Sequence, residues 1–192
     1  MLTRADLWSL EEYAQRRADF RTEVLAHKKN RQVLVGDHLL LLFEDQLTIK
    51  YQIQEMLRIE KVFESAGILE ELEAYNPLIP TGDNWKCTLL IQYNDVDERK
   101  RRLAELVGVE DQIWIQVGDL KKIYPITDED MDRTTADKTA AVHFMRYQLT
   151  PEQITAVKAG ASVTVGVDHL AFPCEPVQIA DSVRQSLVAD LA

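Results

Sequence analysis

The stretch EDQLTIKYQIQEMLRIEKVF, Glu44 to Phe63, constrains the fold more than any other part of this chain. On a wheel turning roughly 100° per residue it reads as one long helix. Lys50, Gln54, Arg58 and Lys61 gather on one narrow strip, the expected solvent face. The rest of the circumference is apolar except at Thr48, Gln52, Glu55 and Glu60. Thr48, Gln52 and Glu55 follow an i, i+4, i+7 spacing and so stack as one line. A helix that is apolar over most of its surface is predicted to sit in the middle of a protein. Its buried amides and carboxylates then need partners, because an unpaired one costs several kcal/mol.

A chain of 192 residues suits one domain, here divided into a helical arm (1–31), hairpin and central helices (32–75) and a sheet-rich part (76–192). With 46% apolar and 28% charged residues it has ordinary globular composition. Lysine and arginine total 22 against 32 acidic residues, a formal charge of −10. That balance argues against binding nucleic acid or anionic membranes non-specifically. The longest apolar run, Leu39 to Phe43, is far short of the ~20 residues a bilayer span needs. MLTRADLW lacks the apolar region of a secretory signal, so the expected compartment is the cytoplasm. Cys87 and Cys174 show no CxxC spacing and are expected to be ordinary reduced thiols.

Local signals place the remaining elements. Ser9 and Glu12 form a capping box for a helix running to about His27, which ends in the basic cluster His27-Lys28-Lys29-Asn30-Arg31. That cluster either complements the helix dipole or forms a docking patch. Gln32–Val35 and His38–Phe43 read as a hairpin about Gly36-Asp37. Ser65-Ala66-Gly67 is expected to stop the central helix, with Ile68–Tyr75 a second, acidic one. Asn76 to Asn84 is a stiff, proline-marked loop able to present side chains to a ligand. Strands are expected from Lys86 to about Tyr93, over Ile113–Val117, Ile123–Ile126, Ala141–Leu149 and Ser162–Asp168. In Ala141–Leu149, His143, Met145, Tyr147 and Leu149 alternate with Val142, Phe144, Arg146 and Gln148. Helices are expected after Asp95, after Thr127 (a short one, through Asp130), after Thr150 with Pro151 at its first position, and from about Ile179 to Leu191. The result is an α+β fold: a mostly antiparallel sheet packed on the long central helix, with an N-terminal helical arm and a C-terminal helix.

No phosphate loop, GxSxG, HExxH or cysteine-rich metal spacing appears. An iron–sulfur cluster held by this chain alone is therefore excluded. Asp128, Asp130 and Asp132 match the first ligands of a calcium loop, but Arg133 replaces its glycine and Thr139 its glutamate, so that reading fails. What remains is a constellation. Glu55 and His143 are the candidate catalytic pair, and Glu55, Glu60 and His143 the candidate ligands of a divalent metal. Gln52, Arg146, Tyr51 and Asn84 are the candidate ligand-binding residues, with His27 a neighbour. Glu55 paired with Arg146, or Gln52 bonded to a strand, would satisfy the same residues with no function attached.

The runs FEDQLTIKYQIQEMLRIEK, YNPLIP, NWK and AVHF, with LTRADLWSLEEY, AHKKNR and GVDH, resemble one bacterial family, domain of unknown function 3501, over essentially the whole chain. The resemblance supplies no catalytic residues. It implies an association with rubrerythrin-like proteins and iron–sulfur oxidoreductases, encoded beside such genes, and so a role in peroxide defence or electron transfer. Two functions are thus expected. The first is a cytoplasmic accessory protein that meets a redox partner, itself a candidate homodimer. The second is a metal-binding protein or enzyme acting on a small molecule through the central helix.

Overall fold

Ser9 accepts a hydrogen bond from the Glu12 amide at 3.2 Å and starts helix α1 (Leu10–Lys28). In this computed structural model, which describes residues 1–131 and 133–192, α1 leads to strands β1 (Gln32–Val35) and β2 (Leu39–Glu44). Asp45 and Thr48 then cap one another reciprocally, 2.9 Å in each direction, and begin α2 (Gln46–Glu60). The chain continues through α3 (Ser65–Tyr75), a 3-10 turn (Asn76–Leu78), β3 (Asn84–Ile91), α4 (Val96–Glu105), β4 (Ile113–Val117) and β5 (Ile126–Thr127). It closes with β6 (Val142–Gln148), α5 (Pro151–Lys158), β7 (Val163–Val167), β8 (Val177–Gln178) and α6 (Asp181–Val188).

The fold is α+β, with the strands in two antiparallel sheets rather than one. The first has the order β1-β2-β3-β6-β5 and the second β4-β7-β8. Leu41, Phe43, Trp85, Leu89 and Tyr147 of the first sheet share a core with Ile113, Ile115, Val163 and Val165 of the second. Across that core the Tyr147 hydroxyl donates to the Ile113 carbonyl at 3.0 Å, and the Trp85 indole donates to Leu187 O of α6 at 2.9 Å. The opposite face of the first sheet carries Lys86, Thr88, Phe144 and Arg146, and α3 and the 3-10 turn stand over it. Among the described residues no helix is long and apolar enough to cross a membrane.

Helix α2 belongs to a helical layer. Ile49, Ile53 and Leu57 pack with Leu2, Leu7, Ile68, Leu72 and Ile79. Its contact with the sheet is at its first turn, where Thr48 donates to Glu44 Oε2 at 2.6 Å and Thr88 donates to Glu44 Oε1 at 2.7 Å.

Several expectations need correction. Gln54 is fully buried rather than on a solvent strip, because the N-terminal segment folds over it and the Trp8 amide donates to its side chain at 2.7 Å. Gly67 does not stop the central helix. Lys61, in the left-handed region at φ 57°, does so, and Gly67 lies in the first turn of α3. A Cβ there would come 2.7 Å from Val62 Cγ1, which accounts for the glycine. The short helix after Thr127 is absent, since Asp128 has φ 46° and bends the chain away. Of the expected strand over Ile123–Ile126 only Ile126 pairs with β6, together with Thr127 just beyond it, whereas Ile123 bridges to Ile115 of the other sheet.

Candidate functional site

Glu55 faces α1, away from the sheet. It accepts from the Tyr13 hydroxyl at 2.7 Å and from both the Nε and a terminal nitrogen of Arg17 at 2.7 and 2.9 Å, with Arg58 on its outer side. The Arg17 hydrogen bonds hold its carboxyl down at about 2, against an ordinary value of 4.5. A lowered pKa contributes stability that is present above about pH 4.5 and lost as pH falls towards 2. Arg17 and Arg58 are each a third or more exposed, so solvent screening reduces this to on the order of 1–2 kcal/mol. Wild-type protein is therefore expected to lose that much more stability than Glu55→Gln between pH 5 and 2, measured by urea unfolding across that range. Parallel curves would show the pair to be solvated.

The other candidates scatter. Glu60 is exposed at the end of α2. Tyr51 packs against Phe20 at 5.9 Å, and Gln52 is half-buried beside it. Asn84 is buried and bonds within its own loop, donating to Thr81 Oγ1 at 2.5 Å and Asp83 Oδ1 at 2.8 Å. His27 turns inward onto Asp45 at 2.5 Å and Arg31 is buried, so the two ends of the basic cluster are internal ties while Lys29 and Asn30 stay exposed. Glu55, Glu60 and His143 are not brought together as a metal site.

His143 instead lies in the core, fully buried, with partners that the sequence did not suggest. Its Nδ1 is 2.7 Å from Asp128 Oδ2. Its Nε2 is 2.8 Å from Thr139 Oγ1 and 3.9 Å from Glu110 Oε2. Thr139 and Thr134 donate to Glu110. Glu110, Asp128 and His143 place donor atoms within 4.8 Å of one another, close enough to consider a cation. The geometry argues against one shared by all three, because the imidazole stands between the carboxylates, one at each ring nitrogen. It also argues against a threonine nucleophile, since Thr139 is 1% exposed. What the network does is pin the segment after β5 to the sheet edge. Asp128 accepts from the Phe144 amide at 3.2 Å, and Arg133 joins Asp128 to Asp130. Asp132, the third acid of the rejected calcium pattern, lies outside the described residues.

That segment forms one wall of a cleft of about 480 Å³ on the outer face of the first sheet. Phe144, Arg146 and Lys86 form the floor, with Tyr75, Pro77 and Leu78 opposite and Glu129 and Asp130 at the side. Lys86 and Arg146 are directly opposed across β3 and β6, an unfavourable pairing of like charges. Glu129 partly offsets it, accepting from Arg146 at 2.9 and 2.7 Å. Asp130 is taken by Arg133 at 2.5 and 2.6 Å, and Glu73 lies on the exposed rim. Lys86 makes no hydrogen bond or ion pair among the described residues, and burial pulls its pKa below the usual lysine range despite nearby Glu129. The cleft thus presents one half-buried, uncommitted ammonium beside an apolar surface.

Of the candidates read from the sequence, only Arg146 lines this cleft. The loop over 76–84, expected to present side chains to a ligand, contributes Pro77 and Leu78, whereas Lys86, Phe144, Tyr75 and Glu129 were missed. The available signal was alternation in β3, which sets Lys86 and Thr88 opposite the core-facing Cys87 and Leu89, together with the YNPLIP and NWK runs that contain Tyr75 and Lys86.

Two antiparallel sheets, a helical layer and an open cleft of mixed polarity define a small α+β protein with room for one ligand. The chain belongs to the family described as "Protein of unknown function (DUF3501)", which matches residues 1–191. It is similar over 100% of its length to 99% of a protein of unknown function from Burkholderia pseudomallei, with 48% identity and a TM-score of 0.95. No curated protein matches.

Proposed function

We propose that the protein binds a small organic carboxylate with an apolar body in the Lys86–Arg146 cleft. The observation that carries this reading is Lys86, a half-buried ammonium with no partner of its own among the described residues, beside the apolar side chains of Phe144, Tyr75 and Leu78. The volume is that of ordinary small-molecule sites, and such sites combine apolar walls with a few polar anchors. The ligand's carboxylate takes Lys86 and shares or displaces Glu129 on Arg146. That displacement is cheap, because Glu129 is about half exposed and such pairs contribute ~0–1 kcal/mol.

Phenylacetate is a suitable probe, with a dissociation constant expected on the order of 0.1–1 mM for a ligand of its size. By titration calorimetry, Lys86→Met is expected to weaken binding by about tenfold or more. Glu129→Gln is expected to strengthen it by a few-fold, having freed Arg146. Unchanged affinity in Lys86→Met would remove the basis of the proposal.

The place in a redox pathway implied by the family resemblance is a second reading. It is supported by an exposed apolar corner at the α2–α3 junction, where Ile59, Phe63 and Leu69 stand in solvent and could meet a partner or a second copy. The thiols do not favour a direct redox role: burial raises both Cys87 and Cys174 above the usual range. Retention of neither a rubrerythrin-like nor an iron–sulfur protein on the immobilised chain would count against this second reading.

A further inference from the structure

We infer that Lys86 captures 2-oxo acids with an apolar side chain as a covalent imine, the Arg146 guanidinium holding the acid's carboxylate. The inference rests on the cleft being a carboxylate site and names the reactive class within it.

The geometry is a matched pair of groups. Lys86 and Arg146 are directly opposed residues of adjacent antiparallel strands, so their Cβ atoms stand about 4.5–5.5 Å apart and their side chains rise from the same face. A 2-oxo acid carries its carbonyl carbon next to its carboxylate, and these two neighbouring groups suit two neighbouring side chains. The apolar remainder of the molecule lies against Phe144, Tyr75 and Leu78. An amine must be unprotonated to attack a carbonyl. Burial favours the neutral form of Lys86 against the opposing pull of the Glu129 carboxylate, with a smaller contribution from the Arg146 cation. Among the described residues Lys86 has no hydrogen bond to break before it reacts.

The step is an addition followed by loss of water. The lysine nitrogen lone pair attacks the carbonyl carbon, the carbonyl π pair moves to oxygen, and one nitrogen proton passes to that oxygen through solvent to give a carbinolamine. Its hydroxyl takes a proton from solvent, which the open cleft admits, and leaves as water. The nitrogen lone pair then closes the double bond to carbon, giving a protonated imine that exchanges its proton with solvent, with no net oxidation or reduction.

Borohydride trapping tests this directly. Wild-type protein incubated with phenylpyruvate and then reduced is expected to carry one stable adduct, located by peptide mapping at Lys86. Lys86→Arg, which keeps the charge, is expected to bind phenylacetate nearly as wild type while losing the adduct. Arg146→Gln is expected to cut the yield with phenylpyruvate by about tenfold or more, while cutting the yield with phenylacetaldehyde, which has no carboxylate, by much less. No adduct, or adducts spread evenly over the N-terminus and the other lysines, overturns the inference. If phenylacetate still binds in that case, the carboxylate site survives. If it does not bind, both fail together.

Discussion

Replacing Arg31 by methionine is expected to lower the unfolding free energy by about 3–5 kcal/mol. Arg31 is 2% exposed, and its guanidinium connects three parts of the chain. It donates to the carbonyls of Phe43 and Glu44 at 2.9 and 3.0 Å, where β2 ends. It reaches Asp190 at 2.5 Å and Ser186 at 3.2 Å in the C-terminal segment, and Asp45, the cap of α2, at 3.3 Å. Methionine fills much of the stem's volume but leaves these acceptors without a cation. Burial already pushes the Asp190 carboxyl above its usual range with Arg31 in place, so losing Arg31 leaves protonation as its only relief. Urea denaturation should show a lower midpoint with an unchanged slope. A loss below about 1 kcal/mol would mean that water replaces the guanidinium at no cost, and that the tie is not a buried one.

The second large effect is expected at Gly166. It pairs directly with Trp114 across β4 and β7, and a Cβ there would lie 2.1 Å from the indole Cζ2. The indole cannot swing aside freely, because it is 5% exposed and its nitrogen donates to Asp168 at 2.8 Å. Gly166→Ala must therefore displace the ring, break that charge-assisted bond, or open the two strands. Overpacking together with the lost hydrogen bond amounts to about 3 kcal/mol or more. For a chain of this length that is a fall in melting temperature of about 10 °C. Shrinking the obstacle in the double variant Gly166→Ala/Trp114→Leu should recover part of the loss, since the two residues touch. A fall of less than about 2 °C in the single variant would show that the pair is looser than its geometry.

What could be read from the sequence was what is encoded within a few residues. Ser9, Asp95 and Thr150 each cap the helix they were expected to cap, because the donor and acceptor lie three positions apart. Alternation in β6 correctly put His143 and Arg146 on opposite faces. The misses have long-range causes. Gln54 is buried by Trp8, 46 residues earlier, and Glu55 finds Arg17, 38 residues earlier. Neither distance appears in a helical wheel, which shows which residues share a face but not what covers it. Asp128 turns on a left-handed backbone, and its acidic neighbours had read as a helix start instead. The cleft is the most non-local feature of all. It requires α3, the 3-10 turn, the segment after β5 and the outer face of strands β3 and β6 to meet, and each of these alone reads as ordinary surface.

The central claim is that this cleft holds an organic carboxylate. Backbone amide chemical shifts of isotope-labelled protein titrated with phenylacetate test it most directly, because they report both that binding occurs and where. The expected result is saturable shifts confined to Lys86, Phe144, Arg146, Leu78 and Glu129, greatly reduced in Lys86→Met. Shifts clustered on another face, or none at about tenfold above the expected dissociation constant, would contradict it.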